Sequence, residues 1–182
     1  MTRYVAFLRA INVGGRRIEM DHLRELFESL GFSNVETFIA SGNVIFDSPA
    51  EDTRKLEQRI EVHLRESLGY EAATFVRSAS ELADISRHQP VDPSDLDAEG
   101  ASLYIAFLQT PPSAGTEQKL MAFRSKVDDF RIHGREVYWL CRKKMSESSF
   151  SNALLEKTLG MPATIRNATT VKRLAAKYPA SE

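Results

Sequence analysis

Hydrophobic and polar positions along the chain follow two periods, and the switches between them mark the elements. Residues 4–10 form an apolar run rich in β-formers, which predicts a strand. Val5 and Phe7 point one way from it and Ala6 and Leu8 the other, so both of its faces should be covered. A helical period follows over residues 20–30, with Leu23, Leu26, Phe27 and Leu30 on one side and Gly31 as the stop. Residues 35–40 and 44–46 read as strands around Ser41-Gly42-Asn43, a tight turn in which Gly and Asn tolerate positive φ. Ser48-Pro49 breaks the pattern. A second helix over 51–68 carries the stripe Leu56, Ile60, Leu64 and Leu68 and ends at Gly69. A strand at 73–77 and a short helix at 79–87 complete the first half.

The order β-α-β-β-α-β with right-handed crossovers predicts a four-stranded antiparallel sheet with two helices on one face, the ferredoxin-like plait. Residues 89–101, with Pro90, Pro93, Asp92, Asp95, Asp97 and Glu99, read as a linker. The pattern then repeats. Tyr4-Val-Ala-Phe-Leu-Arg-Ala10 recurs as Tyr104-Ile-Ala-Phe-Leu-Gln-Thr110, followed by a helix at 115–125, strands at 130–133 and 136–141, a long helix at 146–159 and a strand at 163–166. The ends match as well, Phe75-Val-Arg-Ser-Ala79 against Thr164-Ile-Arg-Asn-Ala168, each leading into a short helix. The expectation is therefore an α+β protein of two tandem ferredoxin-like repeats, residues 1–88 and 102–182, each followed by a short helix.

Composition narrows the function classes. Of 182 residues, 42% are hydrophobic and 27% charged, as in globular proteins that fold in water. A formal net charge of −1 gives no global attraction to polyanions, so binding one would require a local patch. Cys141, the one cysteine, permits no intrachain disulfide. The N-terminus enters a strand pattern without a signal-peptide core, and no apolar run approaches the ~18–20 residues that cross a bilayer. A cytoplasmic protein with no membrane partner is expected.

The passage richest in chemistry is Arg9-Ala-Ile-Asn12-Val-Gly14-Gly15-Arg16-Arg17, where a strand runs into a paired-glycine loop flanked by arginines. In a plait the first strand ends at the edge where the next two strands turn, so this loop should neighbour Ser41-Gly42-Asn43. Glycine-loop amides and a following helix N-terminus favour a phosphate or carboxylate. In the second half Arg9 becomes Gln109 and the Asn-Val-Gly-Gly loop becomes Pro111-Pro-Ser-Ala114, so the candidate site belongs to the first half alone. The competing reading is a tight strand–helix turn with solvated arginines. Arg166 and Asn167 are candidates to reach this edge, although Asn167 also reads as a helix cap.

Other chemistry is disfavoured. His22, His63, His88 and His133 have no metal-ligand spacing, so neither metal nor cofactor is expected. No Gly-x-Ser-x-Gly elbow occurs. The strand after Ser41 lacks the aromatic signature of sheet-based RNA readers, which makes nucleic acid the less favoured partner.

Leu8-Arg9-Ala-Ile-Asn-Val-Gly-Gly15, Met20 with Leu23, Thr37 through Ser41-Gly-Asn-Val-Ile-Phe46, and Arg166-Asn167 with Thr170-Val171 and Leu174 together resemble the bacterial family named domain of unknown function 1697. The resemblance implies a duplicated ferredoxin-like architecture and no established activity. It maps the family's motifs onto Arg9, Asn12, Gly14, Gly15, Ser41, Gly42, Asn43, Arg166 and Asn167, with Ala168 where members often carry an aromatic. The resulting expectation is anion binding at the Gly14-Gly15 edge, with Arg9 and Arg16 supplying charge and Asn12 and Asn43 orienting a phosphorylated metabolite, a nucleotide or a nucleic-acid backbone. The alternatives are an enzyme acting on a phosphorylated or nucleotide substrate, and an interaction protein whose motifs are structural.

Overall fold

The alternating runs become eight strands in two four-stranded antiparallel sheets, with six α-helices, among the residues that the computed structural model describes: 1–11, 14–15, 17–39 and 42–180. The chain divides into two units. One comprises Met1–Ile85 with Leu174–Glu182, the other Ser86–Arg173, so the last stretch of chain belongs with the first unit.

In the first unit the elements are β1 (Thr2–Leu8), α1 (Met20–Glu28), β2 (Ser33–Thr37), β3 (Asn43–Ser48), α2 (Thr53–Leu68) and β4 (Thr74–Ser78), followed by α3 (Ala79–Arg87). The strand order is β2-β3-β1-β4. Tyr4, Ala6 and Leu8 of β1 pack with Leu23 and Phe27 of α1 and Leu56, Ile60 and Leu64 of α2. Each such Leu or Ile, withdrawn from water, stabilises the unit by roughly 1.5–3 kcal/mol. On the other face of β1, Val5 and Phe7 are also fully buried, as the two-faced apolar pattern requires. Asp52 caps α2 by accepting the Arg54 and Lys55 amides, and Gly69 ends it at φ 77°.

The second unit contains β5 (Ser102–Phe107), α4 (Ala114–Met121), β6 (Asp128–His133), β7 (Glu136–Cys141), α5 (Asn152–Leu159) and β8 (Thr164–Asn167), and α6 (Ala168–Lys177) closes the chain. Its strand order, β6-β7-β5-β8, is the same as in the first unit when read by element. Register agrees residue by residue: Tyr4 faces Phe46 and Ser78, and Tyr104 faces Trp139 and Asn167. The Trp139 indole N–H donates to Asp128 Oδ1 (2.8 Å) and the Ser148 hydroxyl to Asp128 Oδ2 (2.7 Å), inside a core that includes Phe130, Phe150, Leu155 and Leu159.

The helix expected over 146–159 is broken. A 3-10 turn spans Met145–Glu147, and α5 starts only at Asn152. Serines cause the break: Ser148 Oγ accepts the Phe150 amide while bonding Asp128, and Ser151 Oγ accepts the Leu154 amide as the cap of α5. Within the expected linker, Asp92 caps a 3-10 turn at Pro93–Leu96 by accepting the Ser94 amide.

Candidate functional site

The exit of β1 and the β2–β3 turn meet in the first unit, as the strand order β2-β3-β1-β4 requires. The Leu8 amide donates to the Gly42 carbonyl (2.8 Å), and the Arg9 amide donates to the Ala73 carbonyl at the entry to β4 (2.9 Å). Gly42 has φ +78°, and a Cβ placed there would lie 2.7 Å from Ile11 Cγ2 and 3.2 Å from both the Cβ and the carbonyl oxygen of Leu8. Only glycine combines that backbone conformation with that approach. The two loops are therefore packed into one edge, and Gly42 lies at its seam.

Asn43 is buried at 0% exposure, and its Nδ2 donates to the Phe38 carbonyl (2.9 Å) while its own carbonyl accepts the Phe38 amide (3.0 Å). The side chain thus clamps the turn. Gly14 and Gly15 differ from Gly42. Both are exposed, at φ +62° and +82°, with nothing within 4 Å of an added Cβ. Arg9 is half-buried and Arg17 is exposed. Asn12, Arg16 and Ser41 lie outside the described residues.

Two positions here escaped sequence reasoning. Ala10 (φ 55°) and Ile39 (φ 58°) occupy the left-handed region without being glycine, one in each loop. For β-branched Ile39, which is 48% exposed, that conformation is costly. Tyr70, whose hydroxyl reaches the Ile11 carbonyl at 3.5 Å, brings the α2–β4 connection to the same loop. No periodicity marks such positions, because the strain belongs to the loop and not to the residue.

The helix that follows each glycine or proline loop gives a further contrast. In the second unit Ser113 Oγ accepts the Thr116 amide and caps α4 (3.2 Å). In the first unit Glu19 occupies the cap position of α1 and makes no capping bond with its side chain. The start of α1 thus lacks the side-chain partner that the start of α4 has.

The C-terminal pair makes bonds to its own strand and helix. Arg166 Nη1 donates to Thr164 Oγ1 (2.9 Å) and to the Ile165 carbonyl (3.0 Å), and burial pushes its pKa down to about 10, still far above neutrality. Asn167 Oδ1 accepts the Thr169 amide (2.9 Å) and so caps α6.

Comparison with known proteins agrees with this architecture. Residues 1–138 match the family model described as "Protein of unknown function (DUF1697)". No curated protein matches the chain. Among solved structures, the conserved bacterial protein SP0830 from Streptococcus pneumoniae is similar in fold, with a TM-score of 0.73 and 22% identity over 97% of this chain and 98% of that one. No helix among the described residues is long and apolar enough to cross a membrane.

Proposed function

The chain belongs to the DUF1697 family of proteins of unknown function, and on that footing we propose that it binds an anionic ligand at the edge where the loop after β1 meets the β2–β3 turn. One observation carries the reading: Gly14 and Gly15 stand open in left-handed conformations ahead of a helix whose first amides receive no side-chain cap, with Arg9 and Arg17 on either side of them in sequence. Glycine amides in this setting, together with a helix N-terminus, favour a phosphate or carboxylate. Arg9 supplies charge, and Asn12, Arg16 and Ser41 belong to the same two loops in sequence. Gly42 and Asn43 hold the edge together, while Arg166 and Asn167 serve their own strand and helix.

The two units are, in this reading, tandem ferredoxin-like repeats of one β-α-β-β-α-β module, which matched strand order and register support. The site is confined to the first repeat because only there does the loop keep its glycines and leave the helix start uncapped.

A thermal-shift screen with inorganic phosphate, pyrophosphate, nucleotides and phosphorylated metabolites tests the proposal. A ligand at about 100 times its dissociation constant stabilises the folded protein by about 2.7 kcal/mol. The gain should be lost in Arg9→Ala and in Gly14→Val. A hit whose effect survives both substitutions places binding elsewhere.

A further inference from the structure

Strand β4 lies at one end of its sheet, and its pairing with β1 uses the inward-facing groups of Phe75 and Arg77. The amides of Thr74, Val76 and Ser78 therefore face outward, where the edge of a sheet offers a template for another strand. Each of the three has a carboxylate. The Thr74 amide donates to Glu61 Oε1 (2.9 Å), that of Val76 to Glu57 Oε1 (3.0 Å), and that of Ser78 to Glu81 Oε2 (2.8 Å). The outward carbonyl of Val76 accepts Arg77 Nη1 (2.9 Å), so both backbone groups of that residue are bonded by side chains.

Spacing explains how one helix supplies two of these partners. Four residues of helix advance about 6 Å and two residues of strand about 6.6 Å. Glu57 and Glu61 on α2 thus fall opposite alternate amides of the strand that follows. Glu81 belongs to a capping box at the start of α3, since Ser78 Oγ also accepts the Glu81 amide (3.1 Å). Glu57 and Arg77, both 0% exposed and 4.0 Å apart, are otherwise an unexplained buried ion pair, with Arg54 as a second cation on Glu57 (2.6 Å). The arginine half of the arrangement recurs at the matching register of the second sheet, where Arg166 bonds the Ile165 carbonyl (3.0 Å).

We propose that Glu61, Glu57, Glu81 and Arg77 act as a surrogate neighbouring strand that closes the β4 edge against strand addition by a second copy of this chain. The device is independent of the anion site.

Amide exchange of the full-length, nitrogen-15-labelled protein tests it. In Glu57→Leu, exchange at Val76 should accelerate about tenfold or more relative to that at Phe75 and Arg77, whose amides keep their partners on β1. Glu57→Gln keeps an acceptor oxygen and should retain most of the protection. Glu57→Leu/Glu61→Leu should self-associate in sedimentation at concentrations where the parent does not. If Glu57→Leu fails to fold, the half-buried Glu61 is replaced by Leu and the same comparison is made at Thr74. Unchanged exchange at the uncapped amide, equal acceleration at Phe75 and Arg77, or a double variant that sediments like the parent would each overturn the proposal.

Discussion

Replacing Gly42 by Ala separates close packing of the two loops from the conformational preference of glycine. Two costs arise. An L-residue held in the left-handed region loses roughly 1–2 kcal/mol. The new Cβ meets Ile11 Cγ2 at 2.7 Å and the Cβ and carbonyl oxygen of Leu8 at 3.2 Å. Leu8 is fixed in the sheet and buried Ile11 is stiff about χ1, so neither yields without moving backbone, and overpacking of this kind costs about 1–3 kcal/mol. The expected loss is therefore about 2–5 kcal/mol. Gly15→Ala is the matched control: its φ is +82° and nothing lies within 4 Å of the added Cβ, so only the first cost applies. Urea denaturation followed by far-ultraviolet circular dichroism, with slopes checked for constancy, gives both values. Gly42→Ala should be the more destabilised by about 1–3 kcal/mol. Equal losses within about 0.5 kcal/mol would refute the close approach of the loops.

Three further outcomes follow from individual contacts. Asn43→Ala removes the turn clamp to Phe38 and leaves that carbonyl without the amide's bond, so stability should fall by about 1–3 kcal/mol in the same urea assay. Asp128→Ala strips the acceptor from the Trp139 indole and from Ser148, with an expected loss of about 2–4 kcal/mol; the chain's one tryptophan reports it through fluorescence during unfolding. Burial alone would raise the Asp47 pKa, but bonds from Arg3 and Asn34 hold it below the usual carboxylate range. Its contribution is thus present above the ordinary value of about 3.9 and is lost as pH falls through the lower native value. The stability advantage of the parent over Asp47→Asn should accordingly shrink on acidification below about pH 4 in urea midpoints measured against pH.

The elements were legible because each had a period of its own. Leu23, Leu26 and Phe27 announced α1, and the two-faced apolar run Val5 to Leu8 announced a strand buried on both sides. The meeting of the β1 exit with Gly42 followed from strand order and needed no contact information. What the pattern did not carry was the division of labour within the motif. Gly14 and Gly42 look alike in sequence, yet one stands open and the other fills a seam, a difference made by Ile11 and Leu8. The break before α5 was missed because Ser148 and Ser151 are tolerable helix residues until Asp128 arrives from a distant strand. The stripe Leu56, Ile60, Leu64 and Leu68 says nothing of Glu57, whose burial finds its reason at the edge of β4.

The most direct test of the anion site is a proton–nitrogen correlation titration of the labelled protein with inorganic pyrophosphate at low salt, run on the parent and on Arg9→Ala. The account predicts saturable shifts at the Arg9, Gly14, Gly15 and Gly42 amides in the parent, and their loss or marked weakening in the variant. Shifts that never saturate, that fall outside this edge, or that persist unchanged in Arg9→Ala would contradict it.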